Sequence, residues 1–167
     1  MESPYFILYK LSENEMLYWR ELEHTKTSVT ICKGKVGELG TIIIFKGSLF
    51  SSLRKKYNKE IMEITSYGYK ELIEEDYSYL DVEFDLKSKD YDINCKYYLE
   101  VKEFIENILV KTCLGFTIFD EFEMYEDEII RVTCKVVSED LARDILEKAL
   151  IKSKFSNYRR IFECDFR

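Results

Sequence analysis

Proline, glycine and histidine are scarce in this sequence of 167 residues, which has one proline, six glycines and one histidine. Flexible linkers need glycine and stiff linkers need proline, so a long linker between folded parts is excluded. The single histidine, His24, lies in a polar turn between Glu23 and Thr25, with no partner for a catalytic triad nearby. We therefore interpret it as an exposed loop residue and assign no catalytic residue.

The cysteines are odd in number and too widely spaced for a metal-binding or disulfide pattern. No two of the five form a Cys-x-x-Cys pair, so the sequence predicts no zinc site, no disulfide framework and no cofactor. Cys113, Cys134 and Cys164 have apolar neighbours and are interpreted as small core residues. Cys32 and Cys95 complete the set, and Cys32 is interpreted as a packing or edge residue.

Long apolar runs are also absent. The longest apolar stretches are a few residues each, whereas a membrane-spanning helix needs about 20. The N-terminus lacks the basic-then-apolar pattern of a signal peptide. We expect a protein of the reducing cytoplasm that has no membrane partner.

Basic residues are outnumbered by acidic ones, 25 to 32, which gives a net charge of −7. An acidic protein is repelled by phosphate backbones unless its basic residues cluster. Up to Tyr79 there are 11 Lys and Arg against 12 Asp and Glu, and after it 14 against 20. A polyanionic partner would therefore prefer the first half, while the second half could present an acidic surface to a basic partner.

Aromatic residues, in contrast, are abundant, with 13 tyrosines and 11 phenylalanines, which favours a sheet-rich fold. In the first half, four short aromatic-rich, alternating or apolar segments between polar or glycine-rich turns predict strands, and apolar spacings of three and four predict one helix that Gly68 ends. The predicted strands are Pro4–Leu11, Met16–Leu22, Ser28–Lys33 and Thr41–Lys46, and the predicted helix is Leu49–Ile64.

In the second half the pattern predicts the order β-α-β-β-α-β. The predicted strands are Leu80–Leu86, Phe116–Tyr125, Ile129–Val137 and Arg159–Phe166, and the predicted helices are Tyr97–Cys113 and a segment after its N-cap Ser138. This order is the split-βαβ, or ferredoxin-like, arrangement of a four-stranded antiparallel sheet with two helices. In the first of these strands, Val82 and Phe84 are predicted to face the core, and Glu83 and Asp85 the solvent.

We therefore expect an α+β protein with two domains, residues 1–76 and 77–167, that meet at the acidic residues 74–76. The expected N-terminal domain is an antiparallel β-sheet with one helix. The expected C-terminal domain is the ferredoxin-like one.

Three features of the first half carry a family resemblance, and they occur in the order found in that family. An aromatic stretch opens the pattern, a tract with three spaced glycines follows, and a Gly-Tyr pair comes after the helix. These residues are Tyr18-Trp19-Arg20, the tract Lys33–Gly40 with Gly34, Gly37 and Gly40, and Gly68-Tyr69. In these features residues 5–75 resemble the WGR domain, named for its Trp-Gly-Arg signature. The resemblance implies a compact β-rich domain whose turns are defined by these four glycines.

The residues that give the family its name are changed here, because Lys33 stands in place of the Trp and Lys35 in place of the Arg. In poly(ADP-ribose) polymerases that contain the domain, the Trp and Arg lie at the DNA contact. The resemblance therefore implies nucleic-acid binding as an alternative function, in which lysine would contact phosphate without stacking. The candidate contact residues are Lys33, Lys35, Arg54, Lys55 and Lys56, with Lys46 and Lys59 nearby. The competing interpretation is a solvated basic face.

A run of acidic residues lies late in the chain, at Asp120, Glu121 and Glu123 and again at residues 126–128. Paired carboxylates can hold a divalent cation or serve a glycosidase. This run lacks the alternating spacing and the glycine of a calcium loop, so we interpret it as a solvated acidic turn and predict no metal site.

These patterns together predict a non-enzymatic binding protein that engages a protein partner or a second copy of itself. Nucleic-acid binding is the alternative implied by the WGR resemblance. A third interpretation is an immunity-type inhibitor, a small acidic bacterial protein that blocks a toxin through an acidic face. Enzymatic function is disfavoured, because the sequence offers no combination of nucleophile, base and oxyanion donor.

Overall fold

The structure, a computed structural model, describes residues 6–12, 14–47, 52–118 and 129–164. Over these ranges the protein is α+β, with two four-stranded antiparallel sheets and three α-helices, which confirms the predicted fold class. The chain divides into two compact units, Met1–Ile73 and Glu74–Arg167, which we call the N-terminal and C-terminal units. Each unit contains one of the two sheets.

The N-terminal sheet is a meander in which each strand pairs with the next strand along the chain. Its strands are β1 (Ile7–Ser12), β2 (Glu15–His24), β3 (Ser28–Lys35) and β4 (Thr41–Lys46). All four overlap the predicted strands. β3 continues to Lys35, beyond the predicted end at Lys33, because Gly34 and Lys35 still pair with β2.

One helix, α1 (Leu53–Ser66), follows the sheet. The Ser52 hydroxyl caps it by accepting a hydrogen bond from the Lys55 amide at 3.2 Å. It ends as predicted before Gly68, whose φ of 87° is the left-handed conformation that glycine adopts without steric cost. The predicted start at residue 49 lies outside the described residues.

The core of the N-terminal unit lies between α1 and one face of the sheet. Trp19 is fully buried there, and its ring contacts those of Phe6 and Tyr57. The other buried members of this cluster are Leu8, Val29, Ile31 and Ile64. The aromatic stretch on β2 therefore supplies the centre of a hydrophobic core.

The C-terminal unit follows the predicted order β-α-β-β-α-β. Its elements are β5 (Ser78–Asp85), α2 (Tyr91–Lys111), β6 (Gly115–Thr117), β7 (Ile129–Val136), α3 (Glu139–Ile151) and β8 (Tyr158–Glu163), after a short 3-10 helix at Glu74–Asp76. The strands lie in the order β6-β7-β5-β8, and every neighbouring pair is antiparallel. β5 is therefore a central strand.

Both helices of the C-terminal unit contact the sheet and each other. The face they cover carries Leu80, Val82 and Phe84 of β5, and the Phe84 ring contacts Tyr97 of α2 edge-on. The predicted inward residues of this strand are thus confirmed. On the opposite face the prediction is confirmed at Asp85, which is exposed, and wrong at Glu83, which is buried.

The prediction for α2 is wrong at both ends, since the helix begins at Tyr91 instead of Tyr97 and ends at Lys111 instead of Cys113. The Asp90 carboxylate caps it, accepting from the Asp92 amide at 2.9 Å. Asn94, in the first turn, is buried and accepts from the Lys87 amide at 2.9 Å, which ties the preceding loop to the helix. These polar residues mask the helical pattern of the first turn.

Two further predictions concern the segments beside β6 and α3. Of the predicted strand Phe116–Tyr125, the structure shows Gly115–Thr117, and residues 119–128, including the acidic run, lie outside the described residues. Ser138 precedes α3 as predicted, but its side chain makes no capping hydrogen bond.

Candidate interaction surfaces

The glycine tract connects β3 to β4, as predicted, and its three glycines differ in role. Gly37 occupies the turn with a φ of 90°, and the neighbouring Glu38 amide donates to the Lys35 carbonyl at 3.0 Å. Gly34 lies within β3, opposite Tyr18 of β2. Gly40 lies directly before β4. A left-handed backbone conformation is therefore needed at Gly37 alone among the three.

Gly34 and Gly40 are required for a different reason, which is close packing. A Cβ atom on Gly34 would lie 2.8 Å from the Gly40 Cα, and one on Gly40 would overlap the Tyr18 hydroxyl. Tyr18 is fully buried and its hydroxyl donates to the Glu38 carbonyl at 3.4 Å. The tract is thus folded tightly against one tyrosine, with no room for a larger residue.

Lys33, the first of the candidate nucleic-acid contact residues, is held in an ion pair. Its ammonium contacts the Glu60 carboxylate of α1, and the same carboxylate oxygen accepts from the Trp19 indole Nε1 at 3.2 Å. This network links β2, β3 and α1 of the N-terminal unit. The Lys33 charge is therefore compensated within the protein.

The remaining basic residues do not form one patch with Lys33. Lys35 pairs with Glu15 of β2 at 3.3 Å. Arg54 and Lys55 are exposed in the first turn of α1, and the Lys56 ammonium donates to the carbonyl of Lys46 at 2.9 Å. The structure thus brings Lys46 and Lys56 together at the end of β4. The predicted contact set is divided between two places, at the start of α1 and at the glycine tract.

β4 is an edge strand with apolar side chains exposed to solvent. It is the last strand in the sheet, so one of its sides pairs with no other strand among the described residues. Ile42 is 62% exposed and Ile44 is 55% exposed. Ile43 and Phe45 alternate with them and pack against the core under α1. Edge strands of this kind are natural sites for pairing with another chain.

The backbone of β4 shows which groups are available along this edge. The Gly47 amide donates to the Thr27 carbonyl at 3.0 Å, which continues the β3–β4 ladder. Hydrogen-bonded pairs alternate along antiparallel strands, so Ile43 and Phe45 also direct their backbone groups towards β3. Ile42, Ile44 and Lys46 direct theirs outward. The bond from Lys56 to the Lys46 carbonyl agrees with this assignment.

His24 lies at the end of β2, where the sequence analysis placed a polar turn. Its Nδ1 is 3.4 Å from the Glu21 carboxylate, and its ring centroid is 5.2 Å from that of Tyr57. Burial raises the pKa of Tyr57 above its usual value, and its hydrogen bond to Glu21 raises it further. His24 is exposed, as predicted, but it ends strand β2 instead of lying in a loop, and its ring contacts the partly buried Tyr57.

In the C-terminal unit, an arginine pair encloses Glu83 on the face of the sheet opposite the helices. The Glu83 side chain is 2% exposed and accepts from Arg131 of β7 at 2.8 Å and from Arg160 of β8 at 2.6 Å. Burial alone would raise the pKa of Glu83, but the hydrogen bonds and charges of Arg160 and Arg131 outweigh it and lower that pKa.

The next row of side chains on this face continues the network. The Thr133 hydroxyl donates to Asp81 at 2.7 Å, and the Arg131 Nε lies 3.4 Å from the other oxygen of that carboxylate. On the opposite side, the Arg160 guanidinium lies 4.4 Å from the Phe162 ring centroid, within the range of a cation–π contact. The arginines are therefore engaged by acids and by an aromatic ring.

A third row joins Tyr79, Glu74 and Lys135. Glu74 accepts from both the Tyr79 hydroxyl and the Lys135 ammonium. The pKa of Tyr79 is raised to about 12. The hydrogen bond to Glu74 contributes most to this rise, and burial contributes next. The Lys135 ammonium also lies 4.5 Å from the Tyr77 ring centroid. Across these rows, acidic and basic side chains balance one another.

This charged network was not predicted from the sequence. The usable signal was the alternation of Arg131, Thr133 and Lys135 on one strand against that of Asp81 and Glu83 on another. Only the register, which sets Glu83 opposite both Arg131 and Arg160, turns these residues into a cluster.

The five cysteines lie in both units, and none forms a disulfide. Cys113 and Cys134 are buried, as predicted, whereas Cys164 is only partly buried. Burial raises the pKa of the Cys134 thiol far above its usual value, which keeps it protonated. Within the described ranges, no three His, Cys, Asp or Glu side chains are grouped as metal ligands.

Among the described helices, none is long and apolar enough to cross a membrane. Comparisons with protein-family models, with curated proteins and with solved structures found no match to this chain.

Proposed function

We propose that this chain is a non-enzymatic binding protein that pairs with another protein chain along the edge of β4. The observation that carries this proposal is the coincidence, at Ile42 and Ile44, of exposed apolar side chains with outward backbone groups. An added strand would gain main-chain hydrogen bonds and bury isoleucine side chains at the same positions. Strand addition at an exposed edge is a general mode of peptide recognition.

We also propose that the N-terminal unit has a WGR-like fold and the C-terminal unit a ferredoxin-like fold. The WGR-like assignment is supported by the glycine tract between β3 and β4 and by Gly68 after α1. The ferredoxin-like assignment is supported by strand order: β7 lies between β5 and β6, and β5 lies between β7 and β8. In each β-α-β unit, one antiparallel strand thus lies between the two strands that the helix connects.

The backbone direction at Ile44 gives a sharp test of this edge. Proline at this position removes an amide that points away from β3, so it leaves the β3–β4 ladder intact while blocking an added strand. We expect Ile44→Pro to weaken binding of a soluble peptide of alternating threonine and valine, with a charged residue at each end, by about tenfold or more. Fluorescence anisotropy of the labelled peptide measures this.

The matched control is Ile44→Ala, which removes the side chain but keeps the amide. We expect it to weaken binding less than the proline variant does, because the main-chain hydrogen bonds remain. Trp19 fluorescence, which reports on the N-terminal core, should be unchanged in both variants. Equal binding by the wild type and Ile44→Pro, or no binding by any of the three proteins, would contradict the proposal.

Nucleic-acid binding has less support, because Lys33 and Lys35 are already paired with Glu60 and Glu15. We expect nicked, 5′-phosphorylated DNA to show no saturable binding at protein concentrations below about 1 μM in physiological salt, the tight end of non-specific binding. We also expect Lys33→Ala and Lys35→Ala to behave like the wild type. A gel-shift titration over several salt concentrations checks this. Salt-dependent binding that either substitution weakens would instead favour nucleic acid.

A further inference from the structure

We infer that the chain that occupies the β4 edge is a second copy of this protein, paired antiparallel about a two-fold axis. The inference rests on the proposed function, since it names the partner of the same edge. The four-stranded sheet of one N-terminal unit would continue into that of the other. Pairing of identical surfaces about a two-fold axis closes the assembly at a dimer.

The alternation of backbone groups restricts the register of such a pair. Only residues that direct their amide and carbonyl outward can bond across the edge, which restricts hydrogen-bonded positions in β4 to Ile42, Ile44 and Lys46. The Lys46 carbonyl already accepts a hydrogen bond from the Lys56 ammonium, so Lys46 is less available for pairing. The register that uses both isoleucines sets Ile42 of one copy opposite Ile44 of the other, and the two-fold axis repeats this pair.

The same register buries the exposed apolar side chains. Ile42 and Ile44 are two residues apart in one strand, so their side chains lie on the same face of the sheet. Opposed in two copies, they form cross-strand pairs of β-branched residues, which are favourable in sheets. Ile42 and Ile44, which are 62% and 55% exposed, would thereby lose contact with water on the side that faces the partner strand.

The charges at the two ends of β4 favour the antiparallel arrangement over the parallel one. Lys46, Arg54 and Lys55 are exposed at the C-terminal end, and no ion pair to them is seen among the described residues. Glu38 is exposed just before the N-terminal end. Antiparallel pairing brings the basic end of one copy to Glu38 of the other, whereas parallel pairing would place like charges together.

The full chain itself tests this inference by light scattering or sedimentation over a range of concentrations. We expect a monomer–dimer equilibrium with a dissociation constant between about 1 and 100 μM, because a single strand pair is a small interface. Ile44→Lys should abolish the dimer. Met62→Lys, which also replaces an exposed apolar residue by lysine but lies on α1, should leave the dimer intact. A strictly monomeric wild type, or a dimer that Ile44→Lys does not affect, overturns the inference.

A charge exchange tests the antiparallel geometry. Lys46→Glu and Glu38→Lys each set like charges across the interface, at two symmetric places, and we expect each to weaken the dimer about 3- to 10-fold. The double variant restores opposite charges and should return to within about twofold of the wild type. Additive weakening in the double variant overturns the antiparallel pairing.

The two proposals fail in different ways. If the wild type is monomeric but still binds the threonine-valine peptide through Ile44, the strand-addition function stands and the self-pairing is wrong. If the wild type is monomeric and binds no such peptide, both are wrong. A dimer lost in Ile44→Pro but kept in Ile44→Ala supports both, since only the outward amide separates these variants.

Discussion

Glu83→Gln is expected to destabilise the C-terminal unit by about 2–3 kcal/mol. Removing one partner of a buried ion pair costs about 3–5 kcal/mol, because it leaves a buried charge without compensation. The cost here is lower, since the Arg160 side chain is 63% exposed and can return to water. Arg131 is more buried, at 28% exposed, and in the variant it would still lie 3.4 Å from Asp81 and 5.9 Å from the Phe162 ring centroid, so it carries most of the penalty.

Chemical denaturation followed by far-ultraviolet circular dichroism measures this loss, and hydrogen exchange of the β5 amides localises it. The matched control is Asp85→Asn on the same strand. Asp85 pairs with Arg159 at 3.1 Å, but both side chains are largely exposed, so this change should cost at most about 0.5 kcal/mol. Equal losses in the two variants would show that the enclosure of Glu83 does not stabilise the fold.

The same carboxylate predicts how stability depends on pH. The pKa of Glu83 is lower in the folded protein than in the unfolded chain, where a glutamate titrates near about 4.3. Its contribution is therefore complete above that pH and is lost as the pH falls through the folded pKa. The difference in unfolding free energy between the wild type and Glu83→Gln should shrink as the pH is lowered from about 5 towards 2. A difference that stays constant over this range would contradict the assignment.

The strands and the α+β class could be predicted because they depend on local alternation. In β7, for example, Ile130, Val132 and Cys134 alternate with polar residues, and all three are buried. The start of α2 could not be found in this way. Its first turn contains the buried Asn94, whose role is to hold a loop, so composition there suggests a polar loop.

The interaction surfaces depend on sheet order and register, which local patterns do not encode. The apolar run that makes Thr41–Lys46 a strand does not distinguish an edge position from a central one, and only an edge leaves the outward backbone groups of Ile42 and Ile44 without a neighbouring strand. The alternation in β5 likewise assigned Glu83 to solvent, because charged residues are almost never fully buried unless paired. Its partners are 48 and 77 residues away in the sequence.

The glycine tract depends on both local pattern and sheet register. The spacing of its glycines is visible in the sequence, but the physical reason for that spacing is not. A turn explains Gly37, whereas Gly40 is explained by a side chain on another strand. The Tyr18 ring is fully buried against the tract and cannot move away without disturbing β2. The sequence shows glycine at positions 34 and 40, and packing against Tyr18 supplies the reason.

Gly40→Ala is therefore expected to destabilise the N-terminal unit by about 2–3 kcal/mol, the upper range for overpacking a close-packed site. The added Cβ would overlap the Tyr18 hydroxyl and lie 2.7 Å from the Cys32 Sγ. Denaturant unfolding followed by fluorescence of Trp19, the only tryptophan, measures the loss. The matched control is Gly68→Ala, where an added Cβ meets open space and only the left-handed backbone costs about 1–2 kcal/mol. If Gly68→Ala proves the more damaging change, backbone strain and not packing against Tyr18 limits the glycine positions of this unit.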